Sequence, residues 1–372
     1  MRQEIVNMVV YLYIFICVAL LIFNIVYIVY SKQRKRNAYK RKERMKKMQL
    51  SAMNGITRET KFTVQEEKSL IRKLSNIKYL VGFEEALSEC EKERNEQEII
   101  LYLKMCENIL VQVAWNFKKK PAMERAYMGY MISMHFKKVK ETYRHLPETL
   151  LAYFEDSTIY VRENVLMALY CLGAEDAIEQ AFAQMKVCGY HHQHGLIADG
   201  LQIYNGDKDK LAKRLWKCRK QFDTEVRIGL IQFMSRLPED YSWLFLPELE
   251  HLSGEEGYTV IRYFGSRYHI CPKAKSQLIE ILKKEDEYSV PAASVLGCYS
   301  GDDVKQSLMQ ALGSNLWYVR KNAANALLEF GLTRAGNEEL LKADDVYARE
   351  MLRYVLETKR KEAAKQGRGC NV

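Results

Sequence analysis

The sequence predicts an all-α fold in which one transmembrane helix precedes an α-solenoid of paired helices. Three observations support this prediction. Residues 5–31 contain no charged side chain. From residue 63 onward, apolar residues recur at intervals of three and four, as in amphipathic helices, and no strand-length stretch alternates between apolar and polar residues. A motif of about 30 residues also repeats along the chain, as it does in proteins built from stacked helical units.

Residues 1–31 predict an uncleaved membrane anchor. A helix needs about 20 apolar residues to cross the hydrocarbon core of a bilayer, and residues 5–31 provide them. Tyr11 near one end and Tyr30 at the other suit the two interfaces. A cleaved signal peptide is the alternative, but its apolar region would be about 7–15 residues long and would end at a small-residue cleavage site. The sequence has neither feature.

Residues 32–62 predict a basic juxtamembrane linker. Lys and Arg are enriched in the cytoplasmic flanks of membrane helices, so this segment predicts a single-pass protein of the cell membrane. The short N-terminus of the protein would then lie outside the cell, and the chain after the membrane helix would lie in the cytoplasm. We expect ten cations to contact anionic lipid headgroups rather than form a dedicated nucleic-acid or specific-lipid site. They are Lys32, Arg34, Lys35, Arg36, Lys40, Arg41, Lys42, Arg44, Lys46 and Lys47.

A repeated pattern predicts the solenoid over residues 121–358. Its clearest copies open with Val161-Arg162, Val226-Arg227 and Val319-Arg320, and an apolar helix precedes each. Apolar or small residues dominate the fourth and seventh positions after each anchor, with Arg267 as the exception, which predicts one apolar stripe per helix. Because a single helix pair cannot bury this stripe, stacked pairs share a continuous core. The anchors are Glu124, Val161, Gln193, Val226, Val260, Val290, Val319 and Tyr347.

The sequence around the anchors resembles the HEAT repeat in its short bacterial form. An acidic or amide residue shortly before Val-Arg carries the resemblance, as in Asp156, Asp223 and Asn315. The resemblance implies a right-handed α-solenoid in which the arginine and the acid tie neighbouring repeats together. The structural clamps that it implies are Arg125, Arg162, Arg227 and Arg320. Other repeats lack the arginine at this position, which indicates degenerate copies or a register shifted by one residue. In the last repeat, for example, Arg349 stands one residue beyond the expected position.

Two segments flank the predicted solenoid. Residues 63–120 are helical in pattern and predict either an N-terminal cap or degenerate repeats, and the sequence leaves both interpretations open. Residues 359–372 are polar and predict a disordered tail.

Three histidines are the strongest candidate metal ligands: His191, His192 and His194. The first and third share a face of a helix, and imidazole is a common zinc ligand. No Cys or carboxylate stands close by at a supporting spacing, so we favour a polar helix start. The nine Cys are scattered without a C-x-x-C pair, which argues against a disulfide framework and against a cysteine zinc site. We therefore expect no metal and no cofactor.

Paired carboxylates and tryptophans also have structural interpretations. The pairs Asp302-Asp303 and Asp344-Asp345 stand in the first turns of predicted helices, where carboxylates bind free N–H groups. We expect the helical tryptophans Trp216, Trp243 and Trp317 to pack in the core, with Trp317 partly exposed. The motifs of phosphate loops, dinucleotide folds, zinc proteases and nucleophile elbows do not occur. The sequence therefore predicts no catalytic residue and a protein that is not an enzyme.

Together these features predict a membrane-anchored cytoplasmic scaffold that binds another protein, because solenoids present an extended surface. Some similar membrane-anchored HEAT proteins accompany cell-envelope glycosyltransferases, so the resemblance makes such an enzyme a candidate partner. The alternatives are nucleic-acid binding, as in HEAT-like DNA glycosylases, and a lyase-type enzyme, since phycobilin lyases share such repeats. The net charge of +10 does not favour nucleic acid, because residues 32–47 carry +9 of it (ten cations, one anion).

Overall fold

The computed structural model of the protein is all-helical, as predicted. The described residues are 80% helical, with 19 α-helices and four 3₁₀ helices and no strand among them. They are residues 2–139, 145–155, 158–266, 270–329 and 346–368. Four residues named in the predictions lie outside these ranges, namely Asp156, Arg267, Asp344 and Asp345. The chain divides into two compact units, residues 1–181 and residues 182–372.

The first unit begins with a single helix of 52 residues, α1 (Arg2–Met53). Seven shorter helices follow within the unit, and a further helix, α9 (Glu175–Cys188), crosses its boundary. The seven are α2 (Val64–Leu74), α3 (Ile77–Glu93), α4 (Glu96–Met105), α5 (Glu107–Phe117), α6 (Ala122–His135), α7 (Leu146–Leu151) and α8 (Ile159–Leu172). Two 3₁₀ turns extend α6 and α7, over Phe136–Lys138 and Ala152–Phe154.

Helix α1 is continuous from the apolar segment into the basic one. No Gly or Pro interrupts residues 2–53, and the Lys, Arg, Met and Gln of its second half favour helix. The helix ends just before Gly55, whose φ of 69° is left-handed and suits a glycine beyond a helix terminus. Residues 32–53 of the predicted juxtamembrane linker are therefore part of the helix. By length and composition α1 could cross a membrane, and none of its apolar window is buried in the protein.

The second half of α1 packs along α3. Met45, Gln49 and Met53 are buried on this face, and Gln49 Nε2 donates a hydrogen bond of 3.0 Å to the carbonyl oxygen of Phe83. The two backbones come close at Gly82, where an added Cβ would lie 3.4 Å from the backbone nitrogen of Lys42. Residues 32–53 are thus an integral part of the first unit.

The remaining helices of the first unit complete its core. Helices α2 to α5 cover residues 64–117 of the segment predicted as a cap or as degenerate repeats. Helix α2 packs against α3 and α5, and α1 packs against α3 and α4. Buried Leu80, Phe83, Tyr102 and Leu110 fill this region. Helix α6 packs against α8.

The second unit, residues 182–372, is built from shorter helices. Its 3₁₀ turns are Arg219–Gln221 and Pro247–Glu250. Its α-helices are α10 (His194–Ile203), α11 (Lys208–Cys218), α12 (Thr224–Ser235), α13 (Ser242–Phe245), α14 (Gly254–Tyr263), α15 (Pro272–Lys283), α16 (Ser289–Leu296), α17 (Asp302–Ala311), α18 (Trp317–Glu329) and α19 (Val346–Arg368).

Alternate helices of this unit pack on one another in sequence. Helix α10 contacts α12, α12 contacts α14, α14 contacts α16, and α16 contacts α18, which contacts α19. The intervening helices pack onto this series, since α11 contacts α12 and both α15 and α17 contact α16. The same arrangement of neighbours therefore recurs along the unit.

The anchor positions of the sequence pattern are buried where the Val-Arg motif is clearest. Val161, Val226 and Val319 are each at most 1% exposed, and each is the third residue of its helix. At the last anchor the predicted register is wrong by one residue, because Tyr347 is 68% exposed whereas Ala348 is 6% exposed. Among the others, Gln193 is exposed, while Glu124 and Val290 are half-buried.

The last helix is longer than expected. Helix α19 continues to Arg368, although the sequence predicts disorder from residue 359. Lys, Glu, Ala and Gln fill residues 359–366 apart from one Arg, and these residue types all favour helix despite their polarity. Residues 369–372 lie outside the described part of the chain.

Candidate functional site

The ten cations of residues 32–47, called here the basic flank, fall into two groups on α1. Three of them are half-buried on the side that faces α3: Arg41, Lys42 and Lys46. The other seven are exposed: Lys32, Arg34, Lys35, Arg36, Lys40, Arg44 and Lys47. One basic segment of the sequence thus forms two surfaces in the structure.

Two of the half-buried lysines are ion-paired with carboxylates of α3. Lys42 Nζ lies 2.6 Å from Glu89, and Lys46 Nζ lies 2.9 Å from Glu89 and 2.6 Å from Glu93. These hydrogen bonds raise the pKa of both lysines, and they lower the pKa of Glu89 to about 2. The charges of Lys42 and Lys46 are therefore balanced within the protein, so these two residues join α1 to α3.

A second polar cluster joins α3 to α6 in the interior of the first unit. His135 is 3% exposed, and its Nδ1 and Nε2 lie 2.9 Å from Glu91 and 3.2 Å from Glu84. Burial disfavours the charged imidazole, but the hydrogen bonds to the two glutamates outweigh it and raise the pKa of His135 to about 9. Glu84 also accepts a hydrogen bond of 3.1 Å from the Tyr127 hydroxyl. Sequence analysis missed this cluster, because its members are 44 and 51 residues apart and form no local motif.

Arg227 occupies the position implied for a repeat clamp. Its Nε lies 2.8 Å from Glu256 of α14, and its Nη1 donates a hydrogen bond of 2.9 Å to the carbonyl oxygen of Phe222. Arg320 binds the carbonyl oxygen of Ser314 and lies over the ring of Tyr347 at 5.7 Å. Arg162 is buried and Arg125 is half-buried.

Side-chain bonds in the second unit recur at separations of about one repeat. His194 Nδ1 lies 3.0 Å from the carboxylate of Glu225, 31 residues along the chain. Asn322 Nδ2 donates a hydrogen bond of 2.8 Å to the carbonyl oxygen of Val290, 32 residues away. Further pairs separated by 28 to 32 residues are Arg219–Glu248, Lys275–Asp303, Gln202–Phe233 and Asp209–Tyr241.

The candidate metal ligands do not come together as a site. His194 is the first residue of α10 and binds Glu225, His192 is buried, and His191 is exposed. Within the described ranges, no three His, Cys, Asp or Glu side chains are placed to hold a metal ion. Asp302 and Asp303 lie in the first turn of α17, and a hydrogen bond from Lys275 is the main cause that lowers the pKa of Asp303.

The tryptophans differ from one another in exposure. Trp216 is buried in the core as predicted, at 4% exposed, and Trp317 is partly exposed as predicted, at 41%. Trp243 is 61% exposed, so the prediction of core packing is wrong for this residue, which stands in the four-residue helix α13. A helix this short has no apolar stripe to identify its buried face.

Exposed aromatic side chains gather where α18 meets α19. Trp317 packs edge-on against Tyr318 and Tyr354, with ring centroids 4.9 and 6.2 Å apart. Lys321 Nζ lies 5.2 Å from the centre of the Trp317 ring, within the range of a cation–π interaction. We call this surface the terminal aromatic patch; its members, each at least 41% exposed, are Trp317, Tyr318, Tyr347 and Tyr354.

Comparisons with known proteins add no family to these observations. No family model matches the chain, and no curated protein matches it either. The functional proposal therefore rests on the basic flank, the recurring helix contacts and the terminal aromatic patch.

Proposed function

We propose that the protein is a single-pass membrane anchor joined to a cytoplasmic α-solenoid of HEAT-like repeats, which acts as a scaffold for another protein. The observation that carries this proposal is α1, a single helix whose first half is apolar and unburied and whose second half packs into the first unit. Such a helix would hold the repeats directly at the membrane.

The recurring contacts of the second unit support the solenoid. Alternate helices are neighbours throughout the series α10, α12, α14, α16 and α18. Side chains also bond across intervals of 28 to 32 residues, which match the period of the sequence motif. Nearest-neighbour contacts between successive repeats are what a solenoid requires.

The cytoplasmic orientation follows from the basic flank under the positive-inside rule. The helical conformation changes which of its cations we expect at the lipid surface. At a rise of about 1.5 Å per residue, Lys47 lies about 24 Å along the axis from residue 31, well beyond a Debye length of about 8 Å. We therefore propose headgroup contact for the exposed cations nearest the anchor, Lys32 to Arg36, and a structural role for Lys42 and Lys46.

Protein binding is supported by the terminal aromatic patch. Aromatic residues and Arg are enriched at protein interfaces, and grouped exposed aromatics typically mark interaction sites. The resemblance to membrane-anchored HEAT proteins makes a cell-envelope glycosyltransferase the first partner to test. Nucleic-acid binding receives no support from charge, because the 46 cations and 45 anions from Met48 onward leave +1.

Affinity capture from gently solubilised membranes tests the scaffold. We expect one protein to be recovered in stoichiometric amount with the full chain and to be lost with the double variant W317A/Y318A. The matched control is W115A/Y160A, which removes a similarly exposed aromatic pair from the first unit. Recovery of no stoichiometric protein with the unaltered chain would contradict the scaffold function.

A further inference from the structure

Helices α1 and α3 run parallel, so the start of α3 points toward the apolar half of α1. The pairing shows this direction, because Lys42 contacts Glu89, Lys46 contacts Glu93, and further along Asn54 bonds to Arg94. Before this paired region, α1 and the first two turns of α3 enclose an open groove. The end of the groove nearest the apolar segment is at Tyr30, within the last turn of that segment.

Five of the eleven residues that line the groove have side chains that attract an anion or donate a hydrogen bond to it. Arg34, Arg41 and Lys78 supply three positive charges, and the amides of Gln33 and Asn37 stand between them on α1. Glu85 is the one acidic residue of the lining, and it faces Lys42 closely enough to raise the pKa of that lysine. The lining therefore keeps a positive balance.

Three further observations favour an anionic ligand in this groove. The Nε atom of Arg41 is buried and has no hydrogen-bond partner among the described residues. Arg34 and Lys78 also form no ion pair with any described residue, unlike Lys42 and Lys46, which lie about two and three turns beyond Arg34 on α1. The positive end of the α3 dipole lies at the same place, since α3 begins at Ile77 in the groove wall.

We propose that this groove binds the phosphate headgroup of an anionic phospholipid. Guanidinium and ammonium groups are the usual protein partners of phosphate oxygens. The choice of a lipid rests on the proposed membrane anchor: residue 34 then lies about 5 Å, and Arg41 about 15 Å, along the axis from the end of the apolar segment. The acyl chains would continue beside the apolar half of α1, past Tyr30.

Lipid titration of the purified full chain, followed by native mass spectrometry, tests this site. We expect one phosphatidylglycerol to bind at least about tenfold more tightly than phosphatidylcholine, since each cation near a headgroup contributes to anionic-lipid affinity. The variant R34Q/R41Q/K78Q should lose this preference. The control K40Q/R44Q/K47Q removes the same charge from exposed positions outside the groove and beyond the proposed headgroup contacts, and it should keep the preference within about twofold.

Three outcomes would overturn the proposal: no preference in the unaltered chain, equal losses in both triple variants, or displacement of the lipid by millimolar inorganic phosphate. The last would assign the groove to a free phosphate. Because Arg41 is half-buried, the double variant R34Q/K78Q, which changes only exposed residues, keeps the test valid if the triple variant does not fold. Carbonate extraction separates this proposal from the anchor: release of the chain from membranes contradicts the anchor, whereas retention without lipid preference contradicts the groove alone.

Discussion

The two halves of α1 share one helical conformation but differ in environment. None of the apolar window of the first half is buried among the described residues. The charged half packs along α3, with Met45 and Gln49 buried and two lysines ion-paired to Glu89. The more polar half is therefore the one that enters the protein core. Average composition identifies the first half as an apolar segment, but in the second half a narrow stripe of side chains decides the packing.

The largest expected effect comes from placing a charge in that stripe. Met45→Asp would bury an unpaired carboxylate at a position that is 3% exposed, so we expect the unfolding free energy of the first unit to fall by about 3 kcal/mol or more. Urea denaturation of the detergent-solubilised chain, followed by circular dichroism, measures it. Arg44→Asp changes the adjacent exposed residue and should have little effect; equal losses in both variants would mean that α1 does not pack on α3.

The next effect concerns the close approach of the two helices. Gly82→Val would add methyl groups beside the Lys42 backbone, where even a Cβ lies 3.4 Å from the nitrogen, so a loss of about 1–3 kcal/mol is expected. Gly195→Val is the control, because an added Cβ at Gly195 meets nothing within 4 Å. Thermal melting compares the two variants, and an unchanged melting temperature for Gly82→Val would exclude the close contact.

The His135 cluster predicts a pH dependence on the other side of α3. The folded pKa of about 9 exceeds the ordinary value of 6.5, so the stabilisation is complete below pH 6.5 and is lost as the pH rises through about 9. The hydrogen bond to His135 lowers the pKa of Glu84, so stability also falls as the pH drops below the ordinary carboxyl range. His135→Gln should remove a stability change of up to about 3 kcal/mol between pH 6 and pH 10. Urea denaturation of both proteins across this range measures it, and identical profiles would show that His135 is not charged in the fold.

The smallest effect concerns the ion pairs of the charged half. K42Q/K46Q should lower the melting temperature slightly at low salt, and 1 M salt should remove most of the difference, because ion pairs that solvent reaches are weak and screened. K40Q/K47Q removes two unpaired exposed charges from the same helix and serves as the control. Equal melting temperatures of the two variants at low salt would mean that the ion pairs with the glutamates of α3 do not stabilise the fold.

The parts of the fold that depend on local pattern were predictable from the sequence. The all-helical class, the apolar segment and the buried anchors Val161, Val226 and Val319 follow from spacing and composition alone. The continuity of α1 was not predicted, because ten cations in residues 32–47 conceal the buried stripe that begins at Met45.

Features that depend on distant partners were not predictable. The carboxylates that bind Lys42 and Lys46 lie 47 residues along the chain, and those that bind His135 lie 44 and 51 residues away. The cation-lined groove likewise needs the parallel placement of α3, because Lys78 is far from Arg34 and Arg41 in sequence. A single sequence carries the charges but not their pairing.

The unbroken passage of α1 from its apolar half to its charged half has a rotational consequence. Successive residues of a helix differ by about 100° around the axis, and no Gly or Pro absorbs a twist between residues 2 and 53. The azimuth of each apolar side chain is therefore fixed relative to the face of α3. A partner helix packed against the apolar half of α1 would meet the first unit at one set angle, so this helix would fix the orientation of such a partner as well as its position.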